Sequence, residues 1–177
     1  IDVGGTHTKA VAIDNATQQI IGKSSVKTTH DDEKGVAAGV VQAFENCLKE
    51  NNIEEAEDYY REFCDLAPED SRQHLLRYMI LKAKGAPAEQ LIHSLEQYTS
   101  EELDERWMYE LAFLYHQIGR GNDCVRLCDR IMLMFGIGKY VDKAMELKLQ
   151  YAPLTSYQMD LVENRDKYEA KLRAVEE

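Results

Sequence analysis

The sequence predicts a mainly α protein: a superhelix of antiparallel helix pairs, preceded by a small β-meander and one helix. Three observations lead there. From about residue 51 onward, apolar residues recur at helical spacing in segment after segment. Short breaks rich in Gly and Pro separate these segments, at Gly85-Ala86-Pro87, Gly119 to Asp123 and Ala152-Pro153. Residues 1–50 differ, with apolar alternation around glycine and Asp-Asn turns.

Composition narrows the function classes. Hydrophobic residues at 44% and charged residues at 30% suit a globular chain able to bury a core. A formal net charge of -11 excludes nucleic-acid backbone binding, which needs clustered Lys and Arg, and makes a basic protein or peptide the easier partner. The most apolar run, Ile131 to Phe135, is far too short to span a bilayer, so no membrane role is expected. Cys47, Cys64, Cys124 and Cys128 form no Cys-x-x-Cys pair and no dense framework. With no basic-then-apolar leader visible in the opening residues, that pattern predicts a reducing, cytoplasmic location.

In residues 1–50, Gly4-Gly5 is followed by the alternation Ala10-Val11-Ala12-Ile13, a turn at Asp14-Asn15 and a β-rich run from Ile20 to Thr29. Asp31-Asp32-Glu33 then offers an N-cap and acidic first turn for a helix from about Lys34 to Lys49, with Val36, Val40, Val41, Phe44 and Leu48 on one stripe. The stretch Ile1-Asp2-Val3-Gly4-Gly5-Thr6-His7-Thr8, with Lys27-Thr28-Thr29-His30-Asp31-Asp32 and Gly35-Val36, resembles the amino-terminal segment of the hydantoinase/oxoprolinase family over about residues 1–53. The resemblance implies an actin-like ATPase fold, with Asp2, Gly4, Gly5, Thr6 and Thr8 lining a phosphate loop. ATP and magnesium are then the cofactors, and an ATP-dependent amidohydrolase fragment is the alternative function. Such glycines let backbone N–H groups approach an oxyanion, and an Asp at a strand end can hold a metal-bound water. Nothing after residue 53 resembles the second phosphate loop or adenosine element of that fold.

In the helical part, Ala56, Tyr60, Phe63 and Pro68 stand at offsets that match the second helix and closing proline of a tetratricopeptide repeat. Leu91, Leu95 and Tyr98 repeat the pattern, as do Cys124, Cys128 and Ile131. Residues 51–177 therefore resemble the tetratricopeptide-repeat family, with phases at 56, 91 and 124. The resemblance implies a scaffold that takes a protein or peptide in a concave groove, without autonomous catalysis and with no cofactor. The expected pairs are Ser71 to Lys84 with Ala88 to Tyr98, the pair around Gly119, and Tyr140 to Gln150 with Thr155 to Glu177. In the pair around Gly119, Met108, Leu111, Ala112 and Tyr115 form the buried stripe of the first helix.

The join from Glu45 to Ile53 reads both as the end of the helix after the β segment and as a first helix for the Ala56 unit. Two readings stay open there: one continuous surface, or a fusion of two unrelated coding sequences. Among other constellations, Cys124, Cys128 and His116 permit a metal site to be drawn, but both thiols fall on the core stripe, where Cys acts as a small hydrophobe. His7 and His30 share the β segment, whereas His74 and His93 occur singly in helices. Glu54-Glu55-Ala56-Glu57-Asp58 reads as a solvated helix start, and so does Glu101 to Glu105, with Thr99 or Ser100 as its cap. Most of Tyr59, Tyr60, Tyr78, Tyr98, Tyr109 and Tyr115 are expected between helices, with a minority facing the groove.

Overall fold

In the computed structural model, the described residues are 2–3, 7–13, 20–27 and 33–176 for the backbone, and 37–171 and 173–175 for the side chains. Among them the chain is mainly helical, and helix packs on helix. It divides into two compact units, Ile1–Tyr98 and Thr99–Glu177. No helix among the described residues is long and apolar enough to cross a membrane.

The first unit begins with strands β1 (Asp2–Val3), β2 (His7–Ile13) and β3 (Ile20–Lys27), paired antiparallel in the order β1-β2-β3. An irregularity between Ala12 and Ile13 shifts the β2–β3 register. Helix α1 (Glu33–Lys49) packs against β2, β3 and α2 (Ile53–Leu66). Ala37, Val40, Ala43, Phe44 and Cys47 of α1 meet Ala56, Tyr59 and Phe63 of α2 and Leu76 and Ile80 of α3 (Arg72–Ala83) in one core. Val41 and Leu48, expected on the buried stripe of α1, are only partly buried, and the small Ala37 and Ala43 take the fully covered places. Val36 lies outside the described side chains. The change of sequence texture at residues 50 and 51 falls inside this core, because α1 supplies half of it. Helix α4 (Ala88–Glu101) buries Ile92, Leu95 and Tyr98, while Leu91 is only half-buried. It runs past the expected end at Tyr98, so Thr99 and Ser100 are helical residues rather than a cap.

The second unit contains α5 (Glu105–Gln117), α6 (Gly121–Phe135) and α7 (Lys139–Leu149), each packed on the other two. Asp104 stands at the N-cap position of α5. Met108, Leu111, Ala112 and Tyr115 are buried as the spacing predicts, against a core that includes Cys124, Cys128 and Ile131 of α6. The long final helix expected from Thr155 is interrupted: α8 (Ser156–Glu163) ends at Asn164 and α9 (Arg165–Glu176) follows at once. Thr155 caps α8 with a reciprocal capping box to Gln158, which satisfies two orphan amides of the first turn.

Three helices end in the same way. After α1, α3 and α5 the chain turns left-handed at Asn51 (φ 59°), Gly85 (φ 71°) and Gly119 (φ 79°), and these positions are spaced 34 residues apart. At each, two amides reach back over the last turn: Asn52 N–H to the Cys47 carbonyl (2.8 Å), Ala86 to Leu81 (2.9 Å) and Arg120 to Tyr115 (2.9 Å), with Asn51, Gly85 and Gly119 bonding Leu48, Lys82 and His116. This is the Schellman arrangement, which satisfies carbonyls that a helix end otherwise leaves unpaired. It reverses the chain within a few residues, so the next helix starts at Ile53, Ala88 or Gly121. Only residues without a strong Cβ penalty suit the left-handed position, hence Gly twice and Asn once. The series stops after α7, where Pro153, 34 residues beyond Gly119, cannot adopt a positive φ.

A Cβ added at Gly85 or Gly119 meets nothing within 4 Å, so substitution there isolates backbone strain. Gly85→Ala and Gly119→Ala should each lower stability by about 1 kcal/mol in urea unfolding, whereas Asn51→Gly should be neutral or stabilising. Unchanged stability in both alanine variants, or a loss in Asn51→Gly, would contradict the shared turn.

Candidate functional site

The apolar stripe of α5 leaves a neighbouring stripe, Tyr109, Phe113 and His116, at helical spacings of four and three residues. Its rings run in series. The Tyr109 and Phe113 centroids are 6.4 Å apart and those of Phe113 and His116 are 5.9 Å apart. Tyr140 of α7 extends the series at one end, 6.0 Å from Tyr109, and Tyr151, just after α7, extends it at the other, edge-on to His116 at 5.5 Å. The Tyr151 hydroxyl also hydrogen-bonds His116 Nδ1. Five rings from two helices and one turn thus line a single face within the second unit.

Gly121 fixes one end of the face. A Cβ there would fall 2.8 Å from Tyr151 Cε1, so the ring lies where only glycine leaves room. Phe113 and Tyr151 are 38% and 42% exposed, a large fraction for aromatic rings already in contact with neighbours. Tyr109, His116 and Tyr140 are half-buried. Charge is concentrated at the Tyr109 end. The Lys143 ammonium lies over both Tyr109 (5.5 Å) and Tyr140 (5.4 Å), and Lys139 lies over Tyr140 (5.6 Å). Burial, and then the nearby Cys128, Glu110, Glu146 and Cys124, push the Tyr109 hydroxyl pKa above its ordinary value. The phenol is therefore neutral at physiological pH and remains a hydrogen-bond donor.

Of the six tyrosines singled out by sequence, Tyr59, Tyr78, Tyr98 and Tyr115 are buried, Tyr60 is half-buried, and Tyr109 alone joins this face. Sequence reasoning missed Phe113, Tyr140 and Tyr151, and considered His116 only beside Cys124 and Cys128. The available signal was the 109, 113, 116 spacing; the Tyr140 and Tyr151 contacts depend on how α7 packs and left no local mark. The proposed phosphate loop falls mostly outside the described residues. Asp2 and Thr8 lie in paired strands, Asp2 opposite Lys9 and Val3 opposite Thr8, but Gly4, Gly5 and Thr6 between them are not described. His30 is also outside, as is the side chain of His7. His74 is half-buried and His93 exposed. At the acidic start of α2, Glu54 and Asp58 are exposed while Glu55 and Glu57 are half-buried; Asn52 caps the Glu55 amide at 3.2 Å, Glu57 pairs with Lys84, and Asp58 pairs with Arg61.

The metal site drawn from Cys124, Cys128 and His116 does not assemble. His116 bonds Tyr151, both thiols are fully buried, and among the described residues no three His, Cys, Asp or Glu side chains converge as ligands. Burial raises the Cys124 and Cys128 thiol pKa values, which disfavours the thiolate that a metal would need. A different polar cluster was not anticipated. Lys148 is 3% exposed, and its ammonium donates to Asp129 Oδ1 (2.6 Å) and Gln158 Oε1 (2.9 Å). Gln158 Nε2 donates to the same Asp129 oxygen (2.6 Å), and Gln158 Oε1 also accepts from the Thr155 amide. The cluster ties α6, α7 and the cap of α8 together, with the buried charge paired and hydrogen-bonded.

A scan against protein-family models finds no match, and no curated protein matches the chain. The two resemblances therefore rest on the residues quoted for them.

Cys47 is fully buried, and burial, with Glu55 nearby, raises its thiol from 9.0 to about 11. The folded state therefore prefers the neutral thiol. That preference carries no stability cost below pH 9 and weakens the fold as pH climbs from 9 toward 11. At pH 8 a thiol reagent should modify Cys64, the half-buried cysteine, well before Cys47, Cys124 and Cys128, and all four should react in denaturant. Rapid native modification of Cys124 or Cys128 would contradict the burial.

Proposed function

We propose that this chain is a protein- or peptide-binding module, a tetratricopeptide-like array of helix pairs that holds its ligand against the aromatic face of α5 and α7 and performs no catalysis of its own. The observation that carries this reading is the series of five rings with Phe113 and Tyr151 left partly open to solvent. Aromatic side chains supply large contact area at small entropic cost and dominate binding energy where they cluster. Polar rims at Glu110, Lys143 and Glu146 supply orientation. The 34-residue recurrence of the helix-ending turn supports the tetratricopeptide-like architecture, since that is the length of one such repeat. The four free thiols support a reducing, cytoplasmic setting.

Selection of end-blocked peptides from a random library against the full chain tests the proposal. Affinities of the selected peptides, read by fluorescence anisotropy, should fall about tenfold or more in Phe113→Ala and in Tyr151→Ala. They should be unchanged in Leu133→Ala, which removes an exposed α6 side chain that is not one of the five rings. No enrichment, or equal binding by all three variants, would overturn the reading.

A further inference from the structure

Resting on that reading, we infer that the notch between Tyr109 and Tyr140 receives an arginine or lysine side chain of the bound peptide, and that Lys143 fills the notch in the free protein. Both ring faces already hold a cation. Lys143 Nζ is 5.5 Å from one centroid and 5.4 Å from the other, inside the ~6 Å reach of cation–π attraction. Lys143 makes no ion pair or hydrogen bond with the described residues, so the rings rather than a carboxylate hold it. Glu110 and Glu146 bear on Tyr109 and set carboxylates near the two resident lysines. A guanidinium is planar, stacks on aromatic faces and is less tightly hydrated than an ammonium, so an incoming arginine competes well with the resident lysine. Lys143 is on a flexible stem at a half-buried position of α7. A net charge of -11 favours the approach of a basic segment.

The rest of the face sets the spacing. An extended peptide advances about 6.6 Å every two residues, and the steps from Tyr109 to Phe113 and from Phe113 to His116 are 6.4 and 5.9 Å. A basic residue followed at alternate positions by two apolar residues therefore places its cation in the notch and its apolar side chains on Phe113 and on the His116–Tyr151 pair.

The probes are two fluorescein-labelled, end-blocked peptides, Arg-Ser-Leu-Ser-Leu and Glu-Ser-Leu-Ser-Leu, titrated into the full chain. The arginine probe should bind more tightly than the glutamate probe. Lys143→Gln should tighten its binding about threefold to fivefold by vacating the rings, and Tyr140→Leu should weaken it by a similar factor. Lys139→Gln removes the same charge from the same helix without vacating Tyr109 and should have a smaller effect. Weaker or unchanged binding in Lys143→Gln would overturn the inference. Equal gains in Lys143→Gln and Lys139→Gln would reduce the effect to net charge and also overturn it, as would preference for the glutamate probe. Each of these failures leaves the wider reading intact if library-selected peptides still depend on Phe113, and removes both if they do not.

Discussion

A single backbone requirement, one left-handed residue at the end of a helix, sets the organisation of much of this chain. Where Asn51, Gly85 and Gly119 take a positive φ, their own amides and those of the next residues are turned back onto the preceding carbonyls, and the chain reverses with those end carbonyls paired. Helix direction, loop length and the phase of each following helix are then fixed together. The fourth residue of each following helix is Ala56, Leu91 or Cys124, which is why the side-chain pattern recurs near a 34-residue period although the residues themselves differ.

The aromatic face is a consequence of that phase. Once Met108, Leu111, Ala112 and Tyr115 of α5 are committed to the core, Tyr109, Phe113 and His116 must lie beside them, on the flank that α7 approaches. Tyr140 and Tyr151 complete the series, and Gly121 leaves space for the Tyr151 ring. Behind the face, the neutral thiols of Cys124 and Cys128 and the Lys148–Asp129–Gln158 cluster hold α6, α7 and α8 in register. Their chemistry is that of packing and hydrogen bonding.

Much of the helical architecture was legible in the sequence. Stripes such as 108, 111, 112 and 115 are local, and so are breakers such as Gly85-Ala86-Pro87, so periodicity located most helices to within a few residues. The end of α4 was less legible because Thr99 and Ser100 are acceptable both as caps and as helix residues, and the break at Asn164 carries neither Gly nor Pro. The turn at Asn51 was hidden for a related reason: asparagine adopts the left-handed region often enough to serve, but too seldom to announce it. The side-chain phases at 56, 91 and 124 gave intervals of 35 and 33, whereas the turn residues themselves give 34 twice. The candidate site was half legible. Its α5 stripe is a sequence pattern, but its union with Tyr140 and Tyr151 is made by tertiary packing.

Amide hydrogen exchange at Asn52, Ala86 and Arg120 tests the organising turn most directly, because each amide is the donor that closes it. All three should be protected to a degree comparable with the interior of the helix they terminate, while neighbouring solvent-facing loop amides exchange quickly. Exchange at the unprotected rate at any of the three would show that the turn does not recur and would contradict the account.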